Sequence, residues 1–458
     1  MKNKNNKAID LTEGSVWKTL LCFSIPFVFS TLLQTLYSTV DMIIVGNCVG
    51  SIGLSAISVG SELMQMFTLF CVGFCTAGQI LISQTVGAQN YKRIKRINET
   101  LCLMILGISI LLSVVGILSC NFFLALLNTP AEAWEEARRY VMICSIGVLF
   151  TGFYNMFSAV FRGLGDSRHP LLFIAIASVI NIILDLLFVN VLKMGAAGAA
   201  LATVIGQACS VICSICFIYN HQKRFYFQFK IRQLSVSCDI LKELLSLGIP
   251  ITIQSCALNI SFLFVSSLIN ELGVTVSAVF GAGQKLRNIP GILSQAIGLG
   301  AMSMVGQNAG AGKVRRVTET ALWGILINAV VYAVYSAIIL FYPQQMFRLF
   351  TSDEEVLSYA WLYIIAMVSE MPGKVIMPSG GAVINGIGFT RFSMILGFMD
   401  AFLGRIVLTL LFGKYMGLGV FGYFLGYTLA TYVTAVPELI YFISGKWKIR
   451  VEKIKDRM

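Results

Sequence analysis

Apolar residues run along this chain in long stretches separated by short polar or basic punctuation. The stretches fall near 20–45, 52–86, 101–127, 140–160, 171–192 and 195–219, and again near 244–269, 274–304, 321–341, 357–384, 392–412 and 417–444. About 20 apolar residues cross the hydrocarbon of a bilayer as a helix. Twelve such runs predict twelve transmembrane helices and an all-α polytopic membrane protein. The eighth run is the least regular, because Lys285, Arg287, Asn288 and Pro290 interrupt it. Composition agrees with this pattern: 57% of the 458 residues are hydrophobic and only 12% are charged, against about 25% charged in a soluble domain. The first run is too long for a signal peptide, contains Asp41 and lacks a small-residue cleavage site.

A net charge of +12 could suggest nucleic acid. Its placement argues otherwise, since Lys and Arg sit in clusters between apolar runs, where they orient a membrane protein. With the amino terminus taken as cytoplasmic, 25 Lys and Arg fall in inside connections, 5 in outside connections and 4 within spans. Both termini and the basic stretch 221–242 are therefore expected in the cytoplasm. The acidic clusters at 132–136 and 353–355 are expected outside.

Punctuation repeats at an offset of 223 or 224 residues. Ile25-Pro26 meets Ile249-Pro250, VGAQNYKRI meets AGAGKVRRV, GLGDSR meets GIGFTR, and GAAG meets GVFG. Six spans per repeat preserve orientation, so two parallel six-helix lobes are predicted. The expected division is an amino-terminal lobe over 1–220, a cytoplasmic linker over 221–242, a carboxy-terminal lobe over 243–445 and a basic cytoplasmic tail over 446–458. Two parallel lobes with a cleft between them are a common transporter plan.

An ionisable group near the bilayer centre costs roughly 2.5–3.5 kcal/mol. Asp41, Glu62, Asp185, Glu370, Asp400 and Glu438 all lie in apolar runs. Gln34, Tyr37 and Asp41 share one helix face, as do Ser178, Asn181 and Asp185. Thr203, Gln207 and Ser210 lie on the sixth span, and Tyr140, Thr151 and Asn155 on the fourth. Lipid offers such groups no partners, so these faces must converge. They converge either as a network holding the bundle together or as a functional site. Two carboxylates with an Asn carbonyl and a Thr hydroxyl form a hard oxygen cage suited to Na⁺ or a shared proton. The second repeat carries Val265 and Leu408 where the first carries Asp41 and Asp185, so the cation site is expected on one side only.

In the second repeat, Glu370 and Lys374 are spaced to pair along one helix, and Asp400 and Arg405 as a buried ion pair. Pro26 and Pro250 occupy matching places in the first and seventh spans, where proline kinks a helix. The twelve Cys lie mostly within apolar runs and read as small buried hydrophobes, Cys213 and Cys216 included.

These residues together carry a resemblance. IPFVFSTLLQTLYSTVDMIIVG around Pro26–Gly46, the ISQTVGAQN and VGQNAGAGK loops, RGLGDSRHP and NIILD resemble the multidrug and toxic compound extrusion (MATE) family over roughly Thr12 to Lys446. Asp41, Asn181 and Asp185 look like its prokaryotic DNA-damage-inducible-type branch. The resemblance implies a secondary active antiporter that exports cationic or amphipathic small compounds in exchange for Na⁺ or H⁺ by rocker-switch alternating access. It implies a cation-binding set of Asp41, Asn181, Asp185 and Thr203, a supporting network of Tyr37, Tyr140 and Asn155, and a helix hinge at Pro26. It further implies a monomer in the cell membrane of a prokaryote, with lipid around it, no cofactor beyond the coupling ion and no nucleic-acid partner. A flippase for lipid or lipid-linked oligosaccharide, from the wider superfamily, is the alternative. An enzyme is not expected: the chain has two His, His169 and His221, and none of the H-E-x-x-H, G-x-S-x-G or P-loop motifs.

Overall fold

The computed structural model describes residues 10–222 and 235–457. The basic core of the expected linker, 223–234, lies outside the described residues. All regular structure among the described residues is helical. That is the solution hydrocarbon imposes, because a helix satisfies its own backbone groups. Twelve helices are long and apolar enough to span a membrane. They are α1 (Val16–Val49), α2 (Ser51–Gly87), α3 (Tyr91–Leu118), α4 (Ala131–Gly163), α5 (Arg168–Val191), α6 (Gly195–Asn220), α7 (Cys238–Asn270), α8 (Val274–Gly310), α9 (Val314–Phe341), α10 (Glu354–Gly386), α11 (Thr390–Tyr415) and α12 (Gly419–Ile443). The irregular eighth run is thus one continuous helix of 37 residues.

The helices gather into two compact units whose limits do not follow chain order. One unit contains Ile25–Thr252, and the other contains Asp10–Ser24 and Ile253–Met458. The opening turns of α1 thus belong to the second unit, and those of α7, which begins inside the expected 221–242 linker, belong to the first. Glycine makes each of these packings possible. A Cβ on Gly73 of α2 would stand 2.0 Å from Thr252 Oγ1, and one on Gly300 of α8 would stand 2.3 Å from Ser24 Oγ. Basic side chains then secure both entry segments. In the first unit Arg93 donates to both carboxylate oxygens of Glu243, at 2.8 and 2.7 Å. In the second unit Arg316 donates to the carbonyls of Gly14 and Glu13, at 2.8 and 3.0 Å.

Within each unit the second helix of the repeat is the most enclosed. In both α2 and α8, 61% of the most apolar window is buried, against 28% in α3 and α9. Residues such as Leu118 and Phe341 are about 80% and 79% exposed and present apolar surface suited to lipid. The tail is a packed helix, α13 (Trp447–Arg457). Its Trp447 and Val451 are buried with Val305, Val317 and Ile387. Its basic residues lie along the remaining face.

Two of the spans widen into π-helical turns, Leu186–Val191 at the end of α5 and Met399–Leu408 within α11. π-bulges concentrate at functional sites. The first begins directly after Asp185, and the second contains Asp400 and Arg405.

Candidate functional site

The carboxylates of the first unit come together from three helices. Asp41 lies on α1, Asn181 and Asp185 on α5, and Thr203 on α6. Thr203 Oγ1 donates to Asp41 Oδ2 at 3.5 Å, and Asn181 Nδ2 donates to Thr203 Oγ1 at 3.4 Å. The Asp41 carboxyl is within hydrogen-bonding reach of Asp185 and Asn181. The helical repeat explains the placement. Asn181 and Asp185 are four residues apart and project from one face of α5. Gly206 on α6 lets the two helices approach, since a Cβ there would stand 3.1 Å from the Ala177 carbonyl oxygen and 3.2 Å from Asn181 Cβ.

The hydrogen bonds that form are long, and most acceptors lack one. Asp41 Oδ1, both carboxylate oxygens of Asp185 and Asn181 Oδ1 are buried without a donor. Asp185 is fully buried and Asn181 nearly so. Unsatisfied buried acceptors, three of the four on adjoining carboxylates, carry a large penalty unless a cation neutralises them. The donor set is all oxygen, which is hard-cation chemistry. No group of three or more His, Cys, Asp and Glu side chains suited to a metal occurs among the described residues.

Two cavities adjoin this cluster. The smaller, about 10 Å³, is lined by Asn181, Thr203, Tyr37 and Gln207, and is of the order of a single water or ion. The larger, about 250 Å³, shares Tyr37, Thr203 and Gln207 with it and extends past Tyr140, Thr151 and Asn155. Tyr140 sits against Gly60, where a Cβ would stand 2.3 Å from its ring.

Of the expected network, Tyr37 and Tyr140 lie in electrostatic range of Asp41. Asn155 donates to the Thr151 carbonyl of its own helix at 2.9 Å and lines the larger cavity together with Tyr37 and Tyr140. Pro26 lies inside α1, one residue beyond the point where that helix enters the first unit. Glu62 is exposed on α2. The sequence pattern had not singled out Tyr154, whose hydroxyl accepts from Gln34 Nε2 at 3.1 Å, nor Gln65 and Thr68, which also line the larger cavity. The signal available for Gln65 and Thr68 was their spacing on one face of α2.

The second unit has a different interior. Arg287 of α8 donates to both carboxylate oxygens of Glu370 on α10. Glu370 thus pairs with Arg287, not with Lys374 of its own helix. A guanidinium matches a carboxylate in two parallel bonds, which an ammonium one turn away does not. Asp400 and Arg405 do pair, at 3.3 Å. The π-helical turn brings residues five apart onto one face.

A MatE family profile matches the chain twice, at residues 26–187 and 250–411. The chain belongs to the MatE family. The two matches start 224 residues apart, which is the repeat read from the punctuation. Among curated relatives, "Probable multidrug resistance protein YpnP" of Bacillus subtilis (strain 168) is 30% identical, over 96% of this chain and 98% of that protein. "Probable multidrug resistance protein YoeA" of the same strain is 26% identical, over 77% of this chain and 79% of that protein. A solved structure described as MATE in the bent conformation superposes with a TM-score of 0.89 at 21% identity, covering 99% of each chain. This chain is thus a multi-pass membrane protein of a transporter family, not an enzyme.

Proposed function

We propose that this MatE-family chain is a secondary active antiporter of a prokaryotic cell membrane. It exports cationic or amphipathic small compounds in exchange for inward-moving Na⁺ or H⁺. One observation carries the reading: a cluster of buried, donorless carboxylate and amide oxygens adjoins a cavity large enough for part of an organic molecule, and Tyr37, Thr203 and Gln207 line both. Cation entry neutralises Asp41 and Asp185, and the same walls feel the change. The relatives named as multidrug resistance proteins support small organic compounds as cargo.

In this reading Asp41, Asn181, Asp185 and Thr203 bind the coupling cation. Tyr37 and Tyr140 shape the cavity beside it. Pro26 lets α1 bend as the site fills. The bend biases two inverted-access states, inward and outward, in a rocker-switch cycle, and the chain works as a monomer with both termini cytoplasmic. A ligand shifts such an equilibrium only by its differential affinity for the two states. The charge distribution supports the orientation, and impermeant thiol labelling at Ser237 and Ser352 substituted by Cys in a Cys-free background checks it. Labelling from outside intact cells is expected at 352 and not at 237; the reverse refutes it.

The test of function is transport by the purified protein in proteoliposomes, with ethidium as cargo and an imposed Na⁺ or proton gradient. Ethidium movement that follows the cation gradient and disappears in Asp41→Asn supports antiport. Movement indifferent to both gradients refutes it.

A further inference from the structure

The two units differ in which hydrogen-bonding partners are left over. In the first, the surplus is of acceptors. In the second, Asn328 Oδ1 and Glu438 Oε2 are also buried without a donor, but around Tyr427 the surplus is of donors and positive charge. Arg287 on α8 donates to Glu370, to Tyr427 Oη at 3.1 Å and to Gln284 Oε1 at 3.4 Å. Arg405 on α11 donates to Asp400 and to the Leu258 carbonyl, each at 3.3 Å. Both guanidinium groups lie over the same ring, with their carbons 5.0 and 5.6 Å from the Tyr427 centroid. A shared π-face is one way to hold two like charges close together.

Lys374 adds a third cation. It lies one turn from Glu370 on α10, in electrostatic range of Arg287, Glu370, Arg405 and Asp400. It makes no hydrogen bond or ion pair with a described residue, and its side chain is partly exposed rather than sealed. Three cations thus share two carboxylates, both of which are already engaged. Glu438, a third buried carboxylate, lies in electrostatic range of Asp400 but forms no ion pair with any of the three cations. It packs against Gly380 and Gly381, six and seven residues further along α10, roughly 9–10 Å at the helical rise.

The neutral groups around the cluster point the same way. Gln284 Nε2 is a buried amide donor without an acceptor, while its oxygen is held by Arg287. The Tyr363 hydroxyl, in electrostatic range of Arg287, is also buried and unpartnered. Unused donors and one uncompensated cation, in a membrane-embedded unit, are complementary to an anion and hostile to a cation.

We propose that Gln284, Arg287, Lys374 and Arg405 form a recognition site for the anionic group, carboxylate or an equivalent oxyanion, of an exported amphiphile. Lys374 supplies the unpaired charge and Gln284 the unpaired amide. The Arg287–Glu370 and Arg405–Asp400 pairs fix the geometry around Tyr427. The inference rests on the export reading and adds to its substrates a preferred class, amphiphiles that carry an oxyanion.

Equilibrium binding to the full-length protein in phosphatidylcholine nanodiscs tests it. The probes are rhodamine B, which carries a free carboxylate, and rhodamine B ethyl ester, which does not. Wild type should bind the acid at least several-fold more tightly than the ester. Lys374→Gln should weaken the acid roughly tenfold and leave the ester unchanged, and Lys374→Arg should restore the preference. Asp41→Asn should keep the preference while losing cation-driven transport, so a failure of coupling is read separately from a failure of this site. Failure of wild type to bind the acid, equal or reversed affinity for acid and ester, or equal weakening of both by Lys374→Gln, overturns the proposal. So does loss of the Lys374-dependent preference when phosphatidylglycerol is added, which would assign the cluster to a lipid headgroup.

Discussion

Neutralising one carboxylate of a buried pair should stabilise the cation-free protein, which is the opposite of what polar substitutions in an interior usually do. Asp185 is fully buried, within hydrogen-bonding reach of Asp41, and neither of its carboxylate oxygens has a donor. Two unit charges about 4 Å apart repel by about 4 kcal/mol at an effective dielectric of about 20. The Thr203–Asp41 bond, at 3.5 Å, offsets little of this. Asp185→Asn removes the repulsion, up to about that 4 kcal/mol, and keeps the shape. A cation at 100 times its dissociation constant stabilises the wild type by about 2.7 kcal/mol. Thermal unfolding of purified protein should therefore show three things. In alkaline, Na⁺-free buffer, Asp185→Asn melts at or above wild type. Na⁺ or acid raises the wild-type midpoint. Neither raises that of Asp185→Asn comparably. An Asp185→Asn protein that melts well below wild type in cation-free buffer, yet keeps the whole cation-dependent rise, would refute the repulsive-pair argument.

Other substitutions test the frame around the site. Glu370→Gln strands the buried Arg287 guanidinium and should destabilise the protein by about 3–5 kcal/mol, with Arg287→Met in the same chain recovering most of it; no recovery would mean that Glu370 acts outside this pair. Gly73→Val places side-chain atoms where Thr252 already stands, so it should lower the unfolding midpoint, and Thr252→Ala should partly rescue it. Pro26→Ala should slow cation-driven efflux while leaving cation binding intact, whereas Pro250→Ala, on a helix without an Asp at the matching place, should matter less. The hinge role is lost if Pro250→Ala is the more damaging.

The parts of this molecule legible in the sequence are those set by local chemistry. Apolar runs must become helices in hydrocarbon, so the twelve spans could be counted. Asp41 and Asp185 stood out because lipid penalises them, and their spacing to Tyr37 and Asn181 placed each on a face. Long-range choices were not legible. Glu370 had two cationic candidates, Lys374 four residues away and Arg287 83 residues away, and bidentate geometry selected the distant one. The transfer of residues 10–24 to the second unit also left no mark, because α1 is apolar on both sides of Pro26. Nor does spacing reveal that Gln284 and Tyr363 keep donors without acceptors.

Counterflux tests the central claim most directly. Proteoliposomes loaded with the transported compound and placed in compound-free medium, with no cation gradient imposed, should take up Na⁺ or protons as the compound leaves. Radiolabelled Na⁺ and an internal pH dye would read the two ions separately. Wild type should show compound-dependent uptake of one or both ions, and Asp41→Asn and Asp185→Asn should show none. Compound efflux that draws in neither ion, or uptake undiminished in both variants, would contradict coupling through these carboxylates.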